Sequence, residues 1–330
     1  MEAAISLFGA GGASLLFVDE ETGGLYFDVA LGDKGGKVKT IGLQRGQGIA
    51  GWVALRGEPV IANDVQADRR FFHGVDSKSG FVTENMMCVP VRSRGRVLGV
   101  LQVMNRKGGF EGADLDILTA FSNQVAVAIE NARLYGEMKE TFYAVVNALA
   151  ETIEKRDPYT AGHTSRVSLY SETIGKTLGL REPEMGTLRL SAILHDIGKI
   201  GVRDAVLLKK KRLSPGEETL IRRHVGYGTE ILEHVPGLKD VMPGVRSHHE
   251  KWDGTGYPDG LRGVDIPLLA RIIAVADTFD AMTTDRPYRK GLSPPEAVDE
   301  IKRCSGTQFD PSVAGAFIKA WDNGDLGASA

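Results

Sequence analysis

The chain has 330 residues, 42% hydrophobic and 25% charged, and its 40 Lys and Arg against 43 Asp and Glu leave a formal charge of −3. That length exceeds one compact core and suits two domains of about 100–200 residues each. The apolar share excludes wholesale disorder, the charge balance excludes a generic nucleic-acid binder, and two distant cysteines, Cys88 and Cys304, exclude a disulfide framework or a cysteine zinc site. No apolar run reaches the roughly 18–20 residues that span a bilayer. The opening MEAAISLFGAGG lacks the basic and long apolar regions of a signal peptide. The expectation is a soluble, cytoplasmic chain that meets neither a membrane nor a nucleic-acid polymer. Of 7 histidines, six (His163, His195, His224, His234, His248 and His249) fall between residues 163 and 249.

The first 110 residues read as strands joined by tight turns. SLLFVDEETGGLYFDVALG sets apolar runs on both sides of ETGG, a hairpin signature, and NMMCVPVRSRGRVLGVLQVMNR repeats it around RG. GLQRGQGIAGWVALRGEPVIAND, between them, reads as a short helix flanked by turns. One curved antiparallel sheet is expected. From Asp114 to Asp157 the only glycine is Gly136, and no proline occurs before Pro158. Leu118, Phe121, Val125, Ala128, Ala132, Tyr135, Phe142, Val146, Leu149 and Ile153 form a heptad-like seam, interrupted at Lys139 and Arg156, which predicts a long helix. Over 114–132 that seam fits packing on its own domain; beyond Gly136, where it continues past the sheet domain, it fits a parallel two-stranded coiled coil, which would make the protein a homodimer.

Residues 158–330 read as helical. Val167, Tyr170, Ile174 and Leu178 share one stripe, and PEMGTLRLSAILHDIGKI, PGEETLIRRHVGYGTEILEHV and LARIIAVADTFDAMTT carry similar ones. Polar residues break these stripes at telling places. His195 and Asp196 end an apolar stretch; alone, such a pair also fits a hydrogen-bonded core pair. His163 ends the inward stripe of the preceding helix. Asp277 sits among apolar residues, where an unpaired carboxylate costs several kcal/mol. His224 lies on another amphipathic helix, and His248 and His249 are adjacent. Five histidines and two aspartates at such positions suit a dinuclear metal site with a bridging carboxylate. His234, in EHVPG, reads as a surface or capping residue, and His73 as structural.

His163, His195-Asp196 and Asp277, spaced H-x31-HD-x80-D, resemble the HD metal-phosphohydrolase superfamily. HHEKWDGTGYPDG at 248–260 is similar to the hallmark of its HD-GYP branch, with Gly256, Tyr257 and Pro258 as the GYP. The likeness covers about 145–320. It implies a phosphodiesterase of the bacterial second messenger cyclic di-GMP. It also implies one metal held by His163, His195, Asp196 and Asp277, and a second, bridged by Asp196, held by His224, His248 and His249. Some members hold a third metal through a glutamate four residues before the first histidine; Tyr159 stands there, so a dinuclear site is expected. Lys199 matches the lysine that meets the substrate phosphate, and Asp280, Arg286 and Arg289 match substrate-holding positions.

The expected chemistry is attack on phosphorus by a hydroxide shared between two ions about 3.5–4 Å apart, giving linear pGpG and then GMP if a second cut follows. His195, Asp196 and Lys199 carry it, Lys199 as a fixed positive charge. Imidazole ligands favour iron or manganese over magnesium or calcium. The glycines around Pro258 make a tight turn that positions the His248–His249 segment, walls the cleft, or contacts a partner such as a GGDEF cyclase. The basic run Lys209–Arg212 replaces the family's lysine-proline-glycine turn and reads as a solvated loop or as a lure for an anionic dinucleotide.

GQGIAGWVALRGEPVIANDV and the segment from Cys88 to Tyr135 resemble a GAF sensory domain over about residues 3–135. That likeness implies a small ligand, of unknown kind, in a pocket over the sheet. Asn105, Lys107, Phe110 and Asp114 approximate the signature of the cyclic-nucleotide subset, with Arg106 and Leu115 departing from it. Few residues precede SLLFVD, so either the N-terminal helix is curtailed or the natural chain begins before Met1. The expected fold is α+β: a GAF-like antiparallel sheet domain (1–136) with flanking helices, a helical linker (137–153), and an all-α HD-GYP domain (154–330). Two other functions compete with regulated hydrolysis. One is a cyclic di-GMP-binding signalling module with little turnover. The other is a different HD phosphohydrolase acting on dNTP or ppGpp, which would not need His224, His248, His249 or the GYP loop.

Overall fold

The computed structural model describes residues 1–32, 41–156, 162–209, 211–285 and 290–326. It forms two compact units, Met1–Lys139 and Glu140–Ala330.

The first unit begins with helix α1 (Glu2–Phe8), seven residues ended by Gly9 at φ 59. The strands follow as β1 (Ala10–Val18), β2 (Leu25–Gly32), β3 (Gly42–Leu43), β4 (Val60–Ala62), β5 (Met86–Ser93) and β6 (Arg96–Arg106). Helix α2 (Gly48–Arg56) lies between β3 and β4, and α3 (Gly74–Ser79) between β4 and β5. The sheet order is β3-β2-β1-β6-β5-β4 and every pairing is antiparallel. The first hairpin turns on Asp19, whose carboxylate accepts from the backbone N–H of Thr22 (2.7 Å) and its hydroxyl (2.8 Å). The β5–β6 hairpin turns on Arg94 and Gly95, both at positive φ, as a tight turn matched to strand twist requires. The pleat sends alternate side chains to opposite faces. Leu16, Met86, Cys88 and Val100 pack with Ile49, Ala50 and Val53 of α2. Leu15, Val89, Leu101 and Val103 pack with Phe8 of α1 and with Leu118 and Ala126 on the other face. Each fully buried leucine there contributes about 1.5–3 kcal/mol.

Helix α4 runs Gly112–Arg156. Its seam does not form one buried face. In the first unit Leu118 is buried, with Phe121 and Val125 packed beside it, but Tyr135 is 66% exposed. In the second unit Val146, Ala150 and Ile153 are buried while Phe142, Val145 and Leu149 stay exposed. The expectation of a single seam mixed two faces, because a strict 3.5-residue repeat drifts around a helix of 3.6 residues per turn.

The second unit continues with α5 (His163–Leu178), α6 (Glu182–Leu194), a 3-10 turn (Ile197–Gly201), α7 (Asp204–Leu207) and α8 (Pro215–Arg222). Then come α9 (His224–Leu232), α10 (Met242–Ser247), α11 (Leu268–Thr283), α12 (Pro294–Arg303) and α13 (Pro311–Asp322). Ser214 and Glu217 cap the start of α8 reciprocally, satisfying backbone donors that a helix end leaves over. The main core joins Val167 and Ile174 of α5, Leu188 of α6, Ile272 and Ile273 of α11 and Phe317 of α13. A second cluster packs Val146 and Ile153 against Ile193, Leu194, Ile197 and Val245. Between these clusters the start of α5, the end of α6, the start of α9, the end of α10 and the middle of α11 converge. No helix among the described residues is long and apolar enough to cross a membrane.

Candidate metal centre

His163 is the first residue of α5, His195 caps the end of α6 with Asp196 following, and His224 opens α9. His248 caps α10, His249 follows it, and Asp277 projects from the middle of α11. One close approach fixes the arrangement. A Cβ on Gly198 would lie 1.9 Å from the His224 carbonyl oxygen, so only glycine lets the turn after Asp196 lie against the start of α9. The ligand atoms fall into overlapping groups within 4.8 Å: His163, His195 and Asp277; His195, Asp196 and His248; His224, His248 and His249. Asp196 lies between them. Its Oδ2 is 3.3 Å from His195 Nε2 and 3.8 Å from His163 Nε2, and its Oδ1 is 3.4 Å from His224 Nε2.

Three imidazoles are oriented by one device. Nδ1 of His195, His224 and His248 donates to the carbonyl three residues earlier, Ala192, Ile221 and Val245, over 2.7–2.8 Å. That fixes the tautomer and leaves each Nε2 lone pair facing inward. His224 Nε2 and His248 Nε2 are buried without a hydrogen-bond partner among the described residues. Buried polar atoms are ordinarily satisfied, so this donor set fits a metal ion that would take up those lone pairs. Burial lowers the pKa of His224, holds His248 well below the ordinary value, and pushes His249 down to about 4. Neutral imidazoles are the form that ligates. His195 differs: burial opposes its charge, but the Asp196 carboxylate outweighs that and raises it to about 9, so ligation through its Nε2 would release a proton. Burial also opposes ionisation of Asp196, yet Lys199 and His195 hold it well below the carboxylate range.

Lys199 Nζ lies 2.6 Å from Asp196 Oδ2, at the edge of the cluster. Asp280, expected from the resemblance to help hold substrate, is bonded within the chain. It is 2% exposed, accepts from His163 Nδ1 over 2.7 Å, and pairs with Arg166 over 2.5 Å. Lying one helical turn beyond Asp277 on α11, it faces inward and supports a ligand. Arg286, Arg289 and Tyr159 fall outside the described residues. His234 is an exposed side chain near Glu233, and His73 packs edge-on against Phe71. Lys209 is bonded to Glu217 over 2.6 Å, so it serves the α8 cap.

Residues not singled out from sequence complete the surroundings. Arg166 lies one turn after His163, on the same helix face, which is the signal that marks it. Glu250 is 3% exposed and accepts from the backbone N–H of Asp259 (2.7 Å) and Gly260 (3.0 Å), tying the GYP loop down. A Cβ on Gly256 would lie 2.4 Å from Glu250 Cα. Tyr257 thereby stacks on His249, ring centroids 4.8 Å apart, with the Arg222 guanidinium 4.9 Å from the Tyr257 ring. The last turn of α4 also reaches the centre. The Glu154 carboxylate accepts from the backbone N–H of Gly162 (3.0 Å) and of Thr164, at the start of α5. Arg156 donates to the carbonyls of Lys199 (3.1 Å), Ile200 (2.8 Å) and Val202 (2.7 Å) and pairs with Asp204.

Residues 147–313 match the family model described as HD domain, and residues 1–130 match that described as GAF domain. Among curated relatives, 3'3'-cGAMP-specific phosphodiesterase 2 of Vibrio cholerae is 35% identical over 211 residues, covering 63% of this chain and 40% of the relative. A cyclic di-GMP phosphodiesterase of Thermotoga maritima is 39% identical over 187 residues, covering 56% and 51%. The chain thus spans about half the length of the curated relatives it matches. A solved cyclic GMP-AMP specific phosphodiesterase of V. cholerae is 24% identical, with 56% of this chain and 50% of that chain covered and a TM-score of 0.46.

Proposed function

Because the chain belongs to the HD domain family, we propose that it is a metal-dependent phosphodiesterase that opens a 3',5'-linked cyclic dinucleotide, with cyclic di-GMP as substrate and linear pGpG as first product. The observation that carries this reading is Asp196, one carboxylate whose two oxygens face two imidazole clusters. Such a centre suits two divalent ions, iron or manganese, held by His163, His195, Asp196 and Asp277 on one side and by His224, His248 and His249 on the other. When bound, two such ions supply Lewis acidity at the phosphate and a water of lowered pKa.

The chain's own residues do the rest. His195, His224 and His248 keep their Nε2 lone pairs turned inward through the carbonyl bonds behind them. Asp280 does the same for His163 and is itself held by Arg166. Lys199 sits where a phosphate approaching Asp196 would meet a fixed positive charge, and it need not move to provide it. Tyr257, stacked on His249 and anchored through Glu250, walls one side of the cleft and limits water there. The same loop is the surface a GGDEF-domain cyclase would touch.

Regulation follows from the last turn of α4, which bonds both the start of the His163 helix and the turn that carries Lys199. A sensory unit (1–136) acts through a linker (137–153) on a catalytic unit (154–330), provided its ligand discriminates between two states of that helix. The exposed Tyr135 and Met138 in the first unit, and Phe142, Val145 and Leu149 in the second, suit pairing of α4 with a second copy of the chain. The protein is proposed to act in the cytoplasm.

The test is turnover by protein purified without oxygen and loaded with iron or manganese. Cyclic di-GMP, 3'3'-cGAMP, a dNTP and ppGpp are supplied separately, and products are separated by chromatography. Hydrolysis of a cyclic dinucleotide that disappears in His195→Ala/Asp196→Ala is expected. Undiminished hydrolysis in that variant sinks the assignment. Tight binding of cyclic di-GMP without product would favour the signalling module.

A further inference from the structure

The first unit has a partly open cavity on the α2 side of its sheet. Phe27, Phe71, Phe72, Phe81, Met86 and Met104 form much of its wall. Aromatic and thioether walls gain most from a flat, apolar body.

The wall carries two buried polar side chains. Ser14 on β1 and Gln102 on β6 are paired in register and are 1% and 5% exposed. Gln102 Nε2 donates to Ser14 Oγ over 2.6 Å, and Gln102 Oε1 faces the Cys88 thiol at 3.7 Å. With those bonds made, the Ser14 hydroxyl proton and the second Gln102 N–H have no acceptor among the described residues. Both are donors, so the complementary ligand atom is an acceptor. Asp76, the charged side chain in the wall among the described residues, already accepts from the Thr83 N–H (2.7 Å) and hydroxyl (2.8 Å). No Lys, Arg or His among the described residues lines the cavity. Among the described residues a phosphate would meet no counter-charge there, and losing its hydration unpaired is costly. The residues that resemble a cyclic-nucleotide signature lie elsewhere. Asn105 accepts from the Glu84 N–H and donates to the Val82 carbonyl, Asp114 pairs with Arg106, and Phe110 is buried in the opposite core.

We propose that this cavity binds an uncharged aromatic molecule bearing one hydrogen-bond acceptor, read by Ser14 and Gln102, in preference to a cyclic nucleotide. The proposal deepens the sensory reading above, and its binding readout needs no phosphodiesterase activity.

Acetophenone, a ring with one carbonyl acceptor, is the probe; ethylbenzene, benzoate and cyclic GMP are the comparators. Calorimetric titration of the full chain is expected to show acetophenone binding at least about tenfold more tightly than each comparator, the difference one good hydrogen bond makes. In Gln102→Leu, acetophenone and ethylbenzene are expected to bind about equally. If circular dichroism shows that variant unfolded, Ser14→Ala decides, with the preference reduced by about threefold. Absence of acetophenone binding, tighter binding of benzoate or cyclic GMP, or an unchanged preference in a folded variant overturns the proposal.

Discussion

Asp280 accepts from His163 Nδ1 over 2.7 Å, while His195, His224 and His248 present the same ring atom to backbone carbonyls. A carboxylate behind an imidazole raises its basicity and locks its orientation more firmly than a neutral carbonyl does. Arg166 completes the bond by holding Asp280 ionised. Burial opposes that charge, but the bonds from His163 and Arg166 lower the pKa of Asp280 below the ordinary value.

Asp280→Asn is therefore expected to lower metal affinity on the His163 side by about 10–100-fold. Elemental analysis after dialysis should show less than the full metal complement, with kcat reduced and KM nearly unchanged. A full metal complement with a raised KM would return Asp280 to the substrate-contact role that the sequence resemblance implied.

Glu250→Ala is expected to free the GYP loop. Two backbone donors lose their acceptor, and Tyr257 loses its fixed place over His249. Protease cleavage between residues 251 and 262 should accelerate, and KM should rise by about tenfold. Glu250→Gln retains one carbonyl acceptor and should restore both properties to near those of the native chain. Equal behaviour of the two variants counts against the tether.

Asp310 gives a stability prediction away from the centre. It is 3% exposed, pairs with Arg271 over 2.5 Å and caps the start of α13 through Ser312. Burial opposes its ionisation, but bonds from Ser312 and Arg271 hold its pKa below the model-compound value of 3.8. The folded pKa is the lower one, so the stabilisation is complete above about pH 4 and is lost as pH falls through the folded value. Asp310→Asn should cost about 3 kcal/mol near neutrality, because it leaves Arg271 without its partner. Urea unfolding should also show a shallower loss of stability below pH 4 than in the native chain.

Val145→Lys/Leu149→Lys places charge on the exposed face of α4 without touching the buried Val146 or Ile153. Light scattering is expected to change from a dimer to a monomer, with far-ultraviolet dichroism preserved. A native chain that is monomeric at all concentrations would remove the pairing.

The proposed ligand residues were legible in sequence because each interrupts an apolar stripe with a side chain too costly to bury alone. His163, His195, Asp196 and Asp277 announced themselves in this way. Asp280 was marked only by the family resemblance, and its partner was not legible: whether a carboxylate one turn beyond Asp277 meets substrate or His163 depends on how α5 and α11 pack. The hairpins around Asp19 and Arg94 followed from local turn chemistry. The seam on α4 did not, since period alone cannot tell which side of a helix its neighbours cover. The cavity beside Gln102 was equally hidden. Its volume is set by side chains from β1, β2, β6, α2 and α3 that lie far apart along the chain.

Glu154 and Arg156 stand two residues apart at the end of α4, on roughly opposite sides of the helix. One grips the start of the His163 helix and the other grips the turn of Lys199. Rotation of this helix end about its own axis would slacken one grip while tightening the other, so a twist and a push along the axis are different inputs. A push would displace ligand and cation together and preserve their spacing. A twist would shear His163 against Lys199 and spoil the register between ion and phosphate. The torsional state of one helical turn would then throttle the reaction, and Arg156→Ala should leave an enzyme whose rate no longer answers to its first unit.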